Sequence, residues 1–300
     1  MSRRYAYVLA LSLLAVPCTA AAQRGYMAEH RLFPSPVAAP REPTFDAGLV
    51  VTDLFGGTRP PVTRPPLIFP DSAAAAHEVQ AIAAMGGTVP VWQALSWPDG
   101  GLLVGIQAGV FGRFRVESPA RDLVAADWIV GLPIEVRKGR LSARLRPIHW
   151  SAHLGDELMQ NAAAVRIPFS FEALDLLVGY RALGLWRVYG GGSVNFHSDT
   201  ETLPRLQQLG MRDRGRIQLG TDAEAYPWHD GHLGYVFGVD WQCAERTDWG
   251  GQLSAAAGLT FHNQVYGAQL RTRFYSGPSP LGQFFRTRET YWGLDLVIEM

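Results

Sequence analysis

The chain has 300 residues, and its 27 basic and 27 acidic side chains give a formal net charge of zero. That balance carries no nucleic-acid footprint, so no nucleic-acid partner is expected. Charged residues at 18 %, aromatics at 11 % and 32 glycines suit a β-rich protein with many turns.

The first 22 residues read as a secretory signal peptide. "MSRR" supplies the positive start and "YAYVLALSLLAVPC" an apolar stretch too short to span a bilayer comfortably. "TAAAQ" places Ala20 and Ala22 for cleavage before Gln23, and Pro17 spoils a lipoprotein pattern around Cys18. The mature chain then holds Cys243 as its cysteine, which allows no internal disulfide and no cysteine metal cluster. No cofactor and no metal are expected.

Residues 23–43 are rich in proline and polar side chains and read as an extended N-terminal segment. A second Pro-rich stretch, "GTRPPVTRPPLIFP", opens an insertion over 57–86. Its alanine run, within "DSAAAAHEVQAIAAMGG", is expected to form a short helix on an extracellular loop or plug.

From residue 88 the apolar residues recur at every second position, the signature of strands with one greasy face. Between 102 and 114 the even positions are Leu102, Val104, Ile106, Ala108, Val110, Gly112 and Phe114, against Gln107 and Arg113. Between 126 and 136 Ala126, Trp128, Val130, Leu132, Ile134 and Val136 oppose Asp127 and Glu135. The pattern predicts strands near 44–52, 88–97, 102–116, 122–137, 141–153, 171–182, 185–197, 214–226, 232–243, 248–261, 265–276 and 290–300. That is twelve, or ten without the first two.

These segments exceed the five or six residues of an ordinary soluble strand, and aromatics such as Trp128, Trp186, Trp241 and Trp292 lie near the ends of their apolar faces. The polar faces mix arginine, carboxylate and glycine. The expected fold is therefore all-β, a transmembrane antiparallel up-and-down β-barrel over 44–300, placed in the bacterial outer membrane after cleavage near Ala22. The closing "ETYWGLDLVIEM" reads as the strand that pairs with the first, since lipid tolerates no open edge. Outer-membrane lipid and, through this strand, the barrel-assembly machinery are the expected partners.

One stretch carries candidate chemistry: "RLRPIHWSAHLGDELMQN", 144–161. Pro147 cannot donate to a ladder, and a bulge there is expected to shift the phase. Ile148, Trp150, Ala152 and Leu154 would then face lipid, with His149, Ser151 and His153 in the lumen. His149 and Ser151 stand roughly 7 Å apart on one face, a possible nucleophile–base pair. Outer-membrane phospholipases and lipid A deacylases carry a similar His-x-Ser pair; the resemblance covers three residues, and Ala152 stands where those families usually have Asn. The competing reading is a polar lumen cluster of Arg144, Arg146, His153, Asp156, Glu157, Arg187, Arg216, Arg271 and Arg273. His149 and His153 lie about 13 Å apart along a strand, too far to share a metal ion.

"LFPSPVAAPREPTF", "HWSAHLGDEL" and "SPLGQFFRTRETYWGLDL" resemble the domain-of-unknown-function 1207 family of secreted Gram-negative proteins, with Ala152 where the family pattern has Ser. The resemblance implies an outer-membrane barrel-like protein and no activity. The leading expectation is a non-enzymatic pore, transport or structural component. Its alternatives are a membrane-embedded lipid hydrolase using Ser151 and His149, and a soluble periplasmic β-barrel binding protein.

Overall fold

The structure is a computed structural model that describes residues 31–54, 78–118, 121–161, 166–182, 185–199, 212–228, 232–263 and 266–299. The leader and the alanines at 73–76 lie outside these residues. The strands are β1 (Phe45–Thr52), β2 (Glu78–Trp97), β3 (Gly100–Arg115), β4 (Leu123–Gly131), β5 (Ile134–Lys138), β6 (Leu141–Leu154), β7 (Phe169–Ala182), β8 (Trp186–Ser198), β9 (Gly215–Trp228), β10 (Leu233–Ala244), β11 (Gln252–His262), β12 (Gly267–Pro278) and β13 (Arg288–Glu299). Apart from β4 and β5, which do not pair with each other, each strand pairs antiparallel with its sequence neighbours, and β1 also pairs with β13 from Phe45↔Ile298 to Thr52↔Tyr291, which closes the barrel.

β4 and β5 are two halves of one stave, because both lie between β3 and β6. Pro133 removes a donor between them, yet Gly131↔Ile148 and Ile134↔Leu145 keep the same register. The barrel therefore has twelve staves, an even number as in bacterial outer-membrane barrels.

The expected helix after the second Pro-rich stretch is overturned from Glu78 onward, where the chain is already in β2. Gln80 is buried toward the interior while Ala83 and Met85 are exposed on the other face. Alanine's helix preference is worth less than about 1 kcal/mol per residue, and pairing with both β1 and β3 overrides it.

Connections alternate in length. Residues 98–99, 139–140, 183–185, 229–232 and 263–266 join strands at the end where Phe45 meets Ile298. Residues 53–77, 116–122, 155–168, 199–214, 245–251 and 279–287 join them at the opposite end. Short turns at one end and long loops at the other match periplasmic and extracellular faces. The outer surface bears exposed Leu, Val, Ile and Trp side chains, among them Trp92, Trp128, Leu270, Leu294 and Trp292.

The interior is filled. The Pro-rich segment ahead of β1, expected as an extended lead-in, runs inside the barrel as a strap over residues 31–44. Arg31 pairs with Glu135 at 2.7 Å, and the backbone N–H groups of Leu32 and Phe33 donate to the same carboxylate. The Arg144 and Arg187 guanidinium groups lie 5.2 and 5.1 Å from the centre of the Phe33 ring. Val37 N–H donates to Asp222, and Arg271 donates to Val37 O at 3.0 Å. The strap turns at Arg41, whose φ is 67°, so that Glu42 meets Arg144 and Arg146. Burial works to raise the Glu42 pKa, but the two guanidinium groups outweigh it and hold it at about 2. Cavities of about 70 and 50 Å³ remain beside the strap.

The long-loop end is closed from inside by residues 279–287. Leu281 and Phe284 pack on Leu154 and Leu158, while Phe285 joins Trp150 and Phe169. The Gln283 amide donates to Ala152 O at 2.6 Å and to Ile167 O at 2.8 Å. Thus "HLGDEL" and "LGQFF", distant in sequence, form one apolar seal.

Candidate functional site

β6 positions the site, and its phase decides what the site is. Ser142, Arg144, Arg146, Ile148, Trp150, Ala152 and Leu154 are all buried on the inner side, with no break at Pro147. The register with β7 runs unbroken from Leu141↔Tyr180 to Ala152↔Phe169. Leu132 N–H donates to Pro147 O at 3.1 Å; the proline lacks only the return bond. One missing ladder bond does not insert a residue, so the expected phase shift does not occur. His149, Ser151 and His153 consequently face outward, toward the long-loop end, and Ile148, Trp150, Ala152 and Leu154 face inward.

The cross-strand neighbours of β6 complete the picture. Glu172 on β7 lies opposite His149, and Ser170 opposite Ser151. On β4, Trp128 lies opposite Ser151 and Val130 opposite His149, both about half exposed at 51 % and 52 %. His149 Nδ1 lies 2.7 Å from Glu172 Oε1. Since a carboxylate accepts, this contact places a proton on Nδ1 and leaves Nε2 of the neutral ring as a basic lone pair. Ser151 sits roughly 7 Å from His149 between α-carbons on the same face.

His153 has the opposite tautomer. Its Nδ1 lies 3.1 Å from Arg166 Nη2. A guanidinium only donates, so Nδ1 accepts and Nε2 carries the proton. On the far side of Glu172 the ladder slips between Glu172 and Ala173, and His197 comes opposite Glu172 there. Such bulges recur beside functional sites, where they re-aim a side chain. His197 Nε2 in turn lies 3.2 Å from Asp199.

Among the described residues, His197 opposite Glu172, and Lys138 and Arg288 near strand ends, are the other Asp, Glu, His, Lys or Arg side chains that the ladders place on the outward face. His149, His153, Glu172 and His197 therefore form a polar island in an apolar belt.

The remaining candidates divide. Arg144, Arg146, Arg187, Arg216, Arg271 and Arg273 point inward, each near a carboxylate: Arg146 and Arg216 flank Asp175 at 3.2 and 2.6 Å, and Arg187 pairs with Asp222. Arg271 and Arg273 share Asp295 at 2.6 and 2.5 Å. His153 is not part of that cluster, because β6 keeps its phase. Asp156 and Glu157 also leave it: they start the short helix Asp156–Asn161 beyond the barrel wall and are exposed. Among the described residues no three His, Cys, Asp or Glu side chains converge on a possible metal position. Glu172 escaped sequence reasoning, since a partner 23 residues away becomes visible only through cross-strand register.

The family described as protein of unknown function, DUF1207, matches residues 73–299. No curated protein matches the chain. Among solved structures, the outer membrane phospholipase A from Escherichia coli is similar with a TM-score of 0.54 at 14 % identity, covering 93 % of this chain and 99 % of that one. The outer membrane phospholipase (OMPLA) dimer of Salmonella typhi gives the same values. At this identity the likeness establishes the fold, an outer-membrane-type β-barrel.

Proposed function

The chain belongs to the DUF1207 family, and because that membership brings a barrel without an activity, we propose from its own residues that it is an outer-membrane acyl-ester hydrolase working on lipid. Ser151 is the nucleophile, His149 the general base and Glu172 the group that orients the base. One observation carries this reading: the 2.7 Å contact of His149 Nδ1 with Glu172, on the lipid side of the wall beside Ser151.

In the reaction Ser151 Oγ attacks the ester carbonyl while Nε2 of His149 takes its proton. The imidazolium formed is stabilised by the Glu172 carboxylate. The tetrahedral intermediate expels the alcohol, which receives that proton from His149. Water, activated by the same Nε2, then releases the fatty acid and regenerates Ser151.

Energetics favour a working role for the island. A cation on the lipid face costs roughly 2–4 kcal/mol at mid-membrane and about 0–1 near the interface. A purely structural stave would gain by carrying Leu or Val at these positions, as its neighbours do. The pore reading loses support because the strap and the seal occupy the interior. The soluble reading conflicts with the apolar outer belt.

The test is ester hydrolysis in mixed micelles by the purified barrel. Ser151→Ala and His149→Ala should each abolish fatty-acid release while heat-modifiable gel migration is kept. Wild-type protein that is folded but hydrolyses no acyl ester would sink the proposal.

A further inference from the structure

Resting on the hydrolase reading of this face, we infer that His153 and Arg166 form a phosphate-recognition element, so that the lipid taken by the site bears a phosphate in its headgroup. Two observations converge. The first is chemical: the Arg166–His153 contact at 3.1 Å turns the imidazole so that its Nε2–H, like the other guanidinium N–H groups, is a donor. Both residues are exposed, and among the described residues no carboxylate lies within ion-pair distance of Arg166. A pair that offers N–H donors and a positive charge takes an anion with several acceptor oxygens.

The second observation is positional. Ser151 and His153 share the outward face of β6, and His153 is one alternation nearer the long-loop rim. Arg166 sits beyond it, ahead of the first residue of β7. An acyl ester at Ser151 therefore has its headgroup side roughly 7 Å farther along, at the level of the cationic pair. His149 and His153 divide the work through opposite tautomers, one presenting a lone pair to the nucleophile and the other a proton to the phosphate.

The experiment reads binding rather than turnover, using Ser151→Ala protein in dodecyl maltoside and calorimetric titration. The probes are dioctanoyl phosphatidate, dioctanoylglycerol and inorganic phosphate. The phosphatidate should bind at least about tenfold tighter than the diacylglycerol, as expected of a charge-assisted contact. Adding Arg166→Ala or His153→Ala should remove that preference, and Arg166→Lys should retain part of it. Diacylglycerol binding should stay unchanged in all three. Equal affinity for the two lipids, or a preference that survives both alanine variants, overturns the inference. Inorganic phosphate binding as tightly as the phosphatidate would overturn the lipid-headgroup source. Wild-type protein that shows the preference but cleaves no ester would overturn the hydrolase reading alone.

Discussion

Replacing Glu172 by Gln removes the carboxylate charge while keeping the side-chain shape. In the structure Glu172 Oε1 lies 2.7 Å from His149 Nδ1, which puts the two charge centres about 4 Å apart once the ring is protonated. Their attraction is worth roughly 1 kcal/mol in a water-like medium and about 4 kcal/mol at an effective dielectric near 20. The Glu172 side chain is 32 % exposed, so it is neither fully hydrated nor fully enclosed, and the value lies between the two limits. The imidazolium exists only after proton transfer, so the loss falls on the transition state. A drop in kcat of about 10- to 1,000-fold is expected, with KM little changed. The assay is fatty-acid release from a soluble short-chain ester and from mixed micelles, with heat-modifiable migration confirming the barrel. If Glu172→Gln kept kcat within about twofold of wild type while Ser151→Ala was inactive, Glu172 would not be the orienting group.

Three further outcomes follow from the wall and its contents. Deleting residues 31–43 should convert a barrel that is silent in planar bilayers into one with stable conductance steps; unchanged silence in a folded deletion variant would mean that other residues block the lumen. Leu176→Arg, mid-stave and 44 % exposed on the outer face, should cost about 2–4 kcal/mol in urea titrations from lipid vesicles, whereas Leu141→Arg at the turn end should cost no more than about 1. Equal costs would argue against a membrane-depth gradient. Glu42 is held at about 2 against an ordinary 4.5, so its contribution is fully present above 4.5 and fades as pH falls toward 2. The roughly 3 kcal/mol involved should appear as a shallower loss of the unfolding midpoint below pH 4.5 in Glu42→Gln than in wild type.

Much of the barrel was legible because period two is a local signal that survives without knowledge of partners. The stave from 122 to 137 could be read whole, since Pro133 interrupts bonding and not alternation. Pro147 misled for the converse reason. A proline announces a missing donor, but whether the chain bulges depends on the neighbouring stave, and here Leu132 still bonds to its carbonyl. That single phase moved His149, Ser151 and His153 from lumen to lipid. The strap was illegible for want of any period: "LFPSPVAAPREPTF" contains prolines and few alternations, and only tertiary contacts with Glu135, Asp222 and Arg271 tell where it lies. Inward arginines such as Arg144 and Arg187 were readable, but not that a buried phenylalanine, Phe33, lies between them.

The strap also ties the filling of the lumen to its closure. It is continuous with β1, the stave that makes the final seam with β13. Once that seam is zipped, the voids left beside it, about 70 and 50 Å³, admit a few water molecules and no stretch of polypeptide. The segment that fills the lumen and the stave that closes it are therefore one continuous stretch of chain. Closing the cylinder and keeping its filling in place are thus a single structural event, as in a cask whose staves and core are cut from one plank.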